Sequence, residues 1–177
     1  KINLYSKGVY LGTSNASTDI EARNLFVYLT ADSATQSFPD LFIIDANNSF
    51  SPTIVSSLNT GPGLSSLAVA GPYIYVANTS SISQLQIIDI HDRYNPRIVS
   101  QIKLPLPNAS TTPTIASSIF YKNGYVYLGT SKWDGAEFYS INVSNPLSPT
   151  IVGSFETNTL INDIFVSGNF AYLATSD

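Results

Sequence analysis

One strand-like phrase recurs through the chain and constrains its fold more than any other feature. The phrase ends in Asp or Asn, occurs at residues 41–45, 85–89 and 138–142, and has a proline seven residues later in each copy. A second phrase alternates with it, and its tyrosines lie 47, 52 and 45 residues apart, at Tyr28, Tyr75, Tyr127 and Tyr172. A period of this size, composed of apolar, aromatic and β-branched residues, predicts a repeat architecture built from strands.

Each repeat contains four strand-like runs. The first run starts at Ile20, Leu67, Ile119 and Ile164 and ends in a two-residue turn, at 23–24, 71–72, 123–124 and 168–169. Pairs such as Asn-Gly supply the positive φ angles that a tight hairpin requires. Four antiparallel strands per unit are typical of propeller blades, and a lone blade could not bury both of its faces. We therefore predict an all-β fold, a β-propeller of four-stranded antiparallel blades.

The repeats divide the chain into three whole blades and two half-blades of a single propeller domain or segment. The predicted division is a half-blade at 1–15, blades at 16–62, 63–114 and 115–160, and a half-blade at 161–177. The proline-rich stretch 103–114 cannot form a central strand and is interpreted as an expanded connection between blades. The half-blades could close together as a fourth blade, belong to a larger ring, or pair between chains.

The best-formed repeat carries a resemblance to a known family. Residues 67–102 contain the phrases Gly-x-Tyr-x-Tyr-Val-Ala, Leu-x-Ile-Ile-Asp-Ile and Asn-Pro-x-Ile-Val in that order. This pattern resembles the LVIVD repeat, and the chain departs from it in the first half-unit and at Asn142, where the aspartate is replaced. The resemblance implies a β-propeller from a bacterial or archaeal surface or secreted protein. It carries over no catalytic residues.

Composition restricts the location and the partners. Charged residues make up 11% of the chain, against roughly 25% in soluble domains, while forty Ser and Thr and fifteen Asn supply polarity. This balance is typical of extracellular β-proteins, so we expect an extracellular or cell-surface location. The net charge of −4, without a basic stripe, argues against nucleic acid. No apolar run approaches the ~18 residues that span a membrane, and the absence of Cys excludes disulfides and Cys nucleophiles.

The acidic residues and the single histidine suggest a metal site and a catalytic pair, but a role in turns explains their positions better. A metal site would combine His91 with Asp89 and Asp92, but the sequence places these residues in a solvated turn. Asp45 and Asp89 resemble paired acid–base carboxylates, yet they hold equivalent repeat positions and Asn142 fills the third. A turn-capping side chain that accepts backbone N–H bonds explains both the recurrence and the replacement. Asp45, Asp89 and Asn142 are therefore predicted turn caps.

Two further features are candidates for contact with sugars. Trp133 lies between the second and third strands of its blade and is a candidate exposed binding aromatic. Sequons at strand ends and loops are candidate N-glycosylation sites; they begin at Asn15, Asn47, Asn78, Asn108 and Asn142.

These observations favour a non-catalytic extracellular module, a glycoprotein in adhesion or in interaction with other surface proteins or glycans. We expect no catalytic residues, cofactor or metal. One alternative is a structural subunit of a surface layer or filament, which self-associates by pairing strands between chains. Another alternative is a carbohydrate-active enzyme, which would need convergent acidic, Tyr or Arg groups around the central channel.

Overall fold

The structure, a computed structural model, describes residues 16–32, 38–106 and 114–176, and every regular element among them is a strand. No helix in these ranges is long and apolar enough to cross a membrane. The fourteen strands are β1 (Ala16–Arg23), β2 (Phe26–Asp32), β3 (Leu41–Asp45), β4 (Thr53–Leu58), β5 (Leu64–Ala70), β6 (Tyr73–Asn78), β7 (Leu85–Asp89), β8 (Arg97–Ile102), β9 (Ala116–Lys122), β10 (Tyr125–Thr130), β11 (Phe138–Asn142), β12 (Thr150–Phe155), β13 (Leu160–Ser167) and β14 (Phe170–Ser176).

The strands form three four-stranded antiparallel sheets and one two-stranded sheet. Within each sheet the strands pair in chain order: β1–β4 form blade 1, β5–β8 form blade 2, β9–β12 form blade 3, and β13–β14 form a two-stranded unit. The predicted all-β propeller architecture is therefore confirmed. The predicted half-blade at 1–15 lies outside the described residues, as does part of the proline-rich connection.

The hairpin between the first two strands of each sheet is a two-residue turn. Asn123 and Gly124 have φ angles of 49° and 83°, as a type I′ turn requires. The first turn differs by one residue from its prediction, because Arg23 pairs with Phe26 and the turn residues are Asn24 and Leu25. Both have positive φ, 50° and 66°. Positive φ is costly for leucine, so no turn signal in the sequence points to Leu25.

The blades stack through their first and second strands. β1 lies beside β5, β5 beside β9, and β9 beside β13. A hydrophobic cluster fills each of the three junctions, and the recurring tyrosines Tyr28 and Tyr75 are 1% and 2% exposed within the first two clusters. The third strands β3 and β7 are buried on both faces, and the side chains of β7 pack into two clusters, Leu85 and Ile87 toward blade 3 and Ile88 toward blade 1.

A bulge near the start of each first strand joins one blade to the next. The unpaired residues are Thr18, Ser65, Ser117 and Asn162, which hold the same repeat position. The three hydroxyls among them bond to carbonyls of the following first strand: Thr18 to Leu64 at 2.7 Å, Ser65 to Ala116 at 2.8 Å and Ser117 to Ile161 at 2.6 Å. The first strands consequently begin three or four residues before their predicted starts.

Candidate functional site

The predicted turn caps have the geometry of an Asx turn. An oxygen of Asp45, Asp89 and Asn142 accepts the backbone N–H two residues later, at 2.8, 2.9 and 2.9 Å. Asp89 has further partners in the His91 ring at 2.7 Å and Arg97 at 2.9 Å. The backbone N–H of His91, followed by its ring and by Arg97, lowers the pKa of Asp89 to about 2 against opposing desolvation.

The loop around His91 does not bring metal ligands together. The His91 side chain is 63% exposed, and its ring meets the edge of Tyr73 at 5.6 Å. Asp92 instead accepts the N–H of Tyr94 at 2.9 Å and the amide of Asn95 at 2.7 Å. Across the described ranges, no group of three or more His, Cys, Asp or Glu residues could hold a metal ion.

Trp133 is not the exposed aromatic that its position in a connection suggests. Its ring is half-buried and packs against the cluster between blades 2 and 3, and its Nε1–H donates to the carbonyl of Ala136 at 2.7 Å. The ring also lies where a Cβ on Gly135 would clash with it, at 2.6 Å. Seven residues separate β10 from β11, which is enough chain for the indole to fold back onto the core.

The sequons differ in accessibility. Asn47 is exposed and Asn142 is partly exposed, whereas Asn78 is fully buried and donates its amide to Thr60 and Gln86. A glycan on Asn78 would require this amide to leave the interior. Asn15 and Asn108 lie outside the described residues.

A buried polar side chain that the sequence reasoning missed precedes each third strand. It accepts the backbone N–H of the residue twenty positions later and so fixes the exit of the fourth strand. The bonds run from Thr60 to Asp40 at 2.8 Å, from Leu104 to Gln84 at 2.9 Å and from Thr157 to Glu137 at 2.8 Å. Burial raises the pKa of Asp40, and the bonds from Thr60 oppose that rise. Because the residue type changes in every blade, no motif revealed the position.

Most acidic residues hold the backbone in place. Of the twelve Asp and Glu, eleven lie in the described ranges, and eight of these accept a backbone N–H. Asp19 and Glu21 act between blades, since they accept the N–H groups of Leu67 and Val69 at 2.9 and 2.7 Å. The remaining three, Asp32, Asp134 and Glu156, are exposed.

An open groove lies between blades 1 and 2 at the hairpin ends. Its volume is about 350 Å³, and Glu21, Arg23, Tyr28, Val69 and Arg93 line it. Toward the first strands of blades 2 and 3 it adjoins a second cavity of about 260 Å³ that shares Glu21, Arg23 and Val69. Arg23, at the end of β1, and Arg93, in the connection after β7, thus line the same groove although they lie seventy positions apart in the sequence. Turn and strand patterns do not predict this proximity.

Solved structures place this architecture in the β-propeller class of repeat proteins. The computationally designed Ika4 protein is similar over 96% of this chain and 93% of its own, with a TM-score of 0.68 and 10% identity. The designed Ika8 protein (TM-score 0.65, 9% identity) and a quinonprotein alcohol dehydrogenase-like protein from Bacteroides thetaiotaomicron (TM-score 0.55, 15% identity) are similar over 90% and 96% of this chain. The chain spans only 43% and 41% of those two proteins. At these identities the likeness concerns the fold alone.

The sequence match is more specific. The LVIVD repeat matches residues 64–103, 114–157 and 161–177, so the chain belongs to the LVIVD repeat family, as the resemblance predicted. The match starts at blade 2, in line with the departure of the first unit from the pattern. No curated protein matches the chain.

Proposed function

We propose that the chain is a non-catalytic module that acts outside the cell and binds other surface proteins or glycans. The observation that carries this proposal is the use of the acidic side chains: eight of the eleven described carboxylates hold backbone N–H groups. A carboxylate fixed in this way is a poor general acid or base, because proton uptake would weaken the backbone bonds that its ionised oxygens accept.

The composition supports the extracellular location, and the loops at the blade ends support the binding of partners. Polarity comes from Ser, Thr and Asn, with few charges, and exposed Asn47 offers a site for a glycan. In a rigid repeat scaffold, loops at the blade ends are the segments free to vary and to contact partners.

A parallel assay of binding and turnover tests this proposal. The purified chain is immobilised and exposed to a panel of surface polysaccharides and glycoproteins, while released reducing ends and peptides are measured in the same samples. We expect binding without turnover. Turnover that disappears in a folded single-carboxylate variant would contradict the proposal and would favour a carbohydrate-active enzyme.

Self-association is a second candidate, favoured by two exposed sheet faces. Phe165 and Tyr172 on β13 and β14 are 59% and 58% exposed, although Tyr28 at the repeat position of Tyr172 is buried. On β1, Ile20 is 62% exposed, whereas its counterpart Leu67 is 5% exposed. The two faces are the two halves of the junction that recurs between the blades. A second copy, docked head to tail, would cover both.

Sedimentation velocity over a range of concentrations tests this candidate. We expect oligomers that dissociate on dilution and are weakened by Tyr172→Ser, because this change removes apolar area from one half of the junction. Tyr94→Ser is the matched control, since Tyr94 is 64% exposed on a loop away from both faces. A monomer at every concentration would contradict self-association.

A further inference from the structure

The groove between blades 1 and 2 departs from the repeat around it. At the junction of blades 2 and 3, Tyr75 stacks on Tyr121 with ring centroids 5.2 Å apart. At the junction of blades 1 and 2, Tyr28 and Val69 hold the same repeat positions, and the smaller valine provides no second ring. A cavity of about 350 Å³ lies at this junction.

Arg93 is held at the edge of this groove by blade 1. Its carbonyl accepts the hydroxyl of Ser56 at 2.6 Å, and its Nε–H donates to the hydroxyl of Tyr28 at 3.0 Å. Its guanidinium carbon lies 4.8 Å from the centre of the Phe26 ring. Pro146 holds the same repeat position in blade 3, where its carbonyl likewise accepts the hydroxyl of Ser100 at 2.5 Å. The guanidinium contacts, in contrast, belong to one junction only among the described blades, because proline cannot make them.

These contacts engage Nε and one face of the guanidinium and leave its terminal nitrogens available. Within the described ranges, those two nitrogens donate no hydrogen bond to another residue. The nearby Arg23 is paired with Glu21, its Nε lying 2.5 Å from Oε1. The groove therefore carries one uncompensated positive charge, presented as a planar pair of N–H donors that matches the geometry of a carboxylate.

We propose that this groove binds the carboxylate of an acidic sugar residue, such as a uronic acid within a glycan. Arg93 takes the carboxylate, while Asn24 and the Glu21–Arg23 pair, which also line the groove, supply donors and acceptors for ring hydroxyls. The volume lies at the lower end of the range for small-molecule sites, about 300–1,000 Å³, and suits one sugar residue. The inference rests on the glycan-binding form of the proposed function.

Titration of sodium D-glucuronate into isotopically labelled protein tests the site, with the Nε–H resonance of Arg93 as the reporter. We expect a saturable shift with a dissociation constant on the order of 1 mM. D-glucose, which has the same ring and no carboxylate, should give no saturable shift. Equal responses to the two sugars would overturn the proposal.

Variants distinguish the contribution of the Arg93 guanidinium from that of the residues that orient it. The affinity for glucuronate, measured by ligand-observed binding, should fall at least about tenfold in Arg93→Gln. It should also fall in Arg93→Lys, which keeps the charge but loses the planar pair of N–H donors. Tyr28→Phe should weaken binding because it releases Nε, and Arg97→Gln, on an exposed strand position outside the groove, should leave it unchanged. Thermal denaturation of each variant checks folding. Wild-type binding retained in folded Arg93→Gln would overturn the site.

A negative result with glucuronate can be distinguished from failure of the proposed function. Binding of other glycans or proteins without any response to glucuronate would overturn this inference and leave the proposed function standing. Absence of binding to every partner in the panel would contradict the proposed function itself.

Discussion

At the scale of single residues, the described part of the chain contains one conformation that its amino acid strongly disfavours. Leu25 lies in the first hairpin turn with a φ of 66°, and its side chain is 64% exposed. The left-handed conformation costs an L-residue roughly 1–2 kcal/mol, and exposure means that little burial compensates. The repeat offers a direct comparison, since the corresponding turn of blade 3 has Gly124 at this position.

Leu25→Gly should therefore raise the free energy of unfolding by about 1 kcal/mol, as measured by urea denaturation. Leu147→Gly is the matched control, because Leu147 is equally exposed, at 65%, and has no positive φ. The control should be neutral or slightly destabilising, since glycine adds freedom to the unfolded chain. A loss of stability in Leu25→Gly would show that the leucine side chain makes a contribution larger than the strain.

Asp89 should make stability depend on pH in the acid range. The folded pKa of about 2 lies below the usual value of 3.8, so the folded protein favours the ionised form. Its contribution is present above about pH 4 and is lost as pH falls through about 2. Asp89→Asn should reduce stability at pH 6 by about 1 kcal/mol, flatten the acid limb of the unfolding curve and leave partner binding unchanged. Asp134→Asn, at an exposed position, should follow the wild type throughout.

At the scale of strands and blades, Gly129 lies at a close approach between blade 3 and β13. A Cβ at this position would lie 2.3 Å from the Ser118 hydroxyl and 2.7 Å from a methyl group of Ile161. The contact joins blade 3 to β13, so the strands must separate to admit even one methyl group. Blades 1 and 2 have larger residues at this repeat position, Thr30 and Ala77, both fully buried.

Gly129→Ala should destabilise the protein by about 1–3 kcal/mol, through overpacking at the junction. Gly153→Ala provides the control, because nothing lies within 4 Å of a Cβ there and the residue is in an exposed strand. Differential scanning calorimetry of the two variants should separate them by several degrees. Equal melting temperatures would mean that the junction relaxes freely.

The sequence predicted the strands better than the side-chain contacts that join one blade to the next. Periodic tyrosines and the Leu-Ile-Ile-Asp phrase located the blades because burial imposes the same apolar pattern on each. The sequence predicts the starts of the first strands three or four residues too late. The bulge residues Thr18 and Ser65 are polar, and their role in the strand depends on a carbonyl in the next blade. No sequence pattern singles out Arg93, because its partner Tyr28 lies sixty-five positions away. Trp133 was expected to be exposed, but the length of its connection lets it fold inward.

At the scale of the whole molecule, the blades share their cores. Ile87 is fully buried in the cluster that also contains Leu128 and Tyr139 of blade 3. A repeat protein of this kind draws its stability from such interfaces as well as from each unit. Damage to one blade should therefore reach its neighbour.

Ile87→Ala should cost about 2–5 kcal/mol and lower hydrogen-exchange protection in blade 3 as well as in blade 2. Val152→Ala, on the exposed strand β12 at 56% exposure, should leave protection unchanged. Loss of protection confined to blade 2 would show that the blades unfold independently.

The bulge hydroxyls give the stack of blades a direction. In every described junction the donor belongs to the earlier blade and the acceptor to the later one, and the same two repeat positions supply them. The array therefore has two distinct ends, and blades 2 and 3 each carry one donor and one acceptor. Duplication or deletion of a complete unit would recreate the same bond at the new joint without any compensating mutation. This bond therefore permits the addition or loss of whole blades in this chain, while insertion of a reversed or partial unit would leave an unmatched donor or acceptor at the joint.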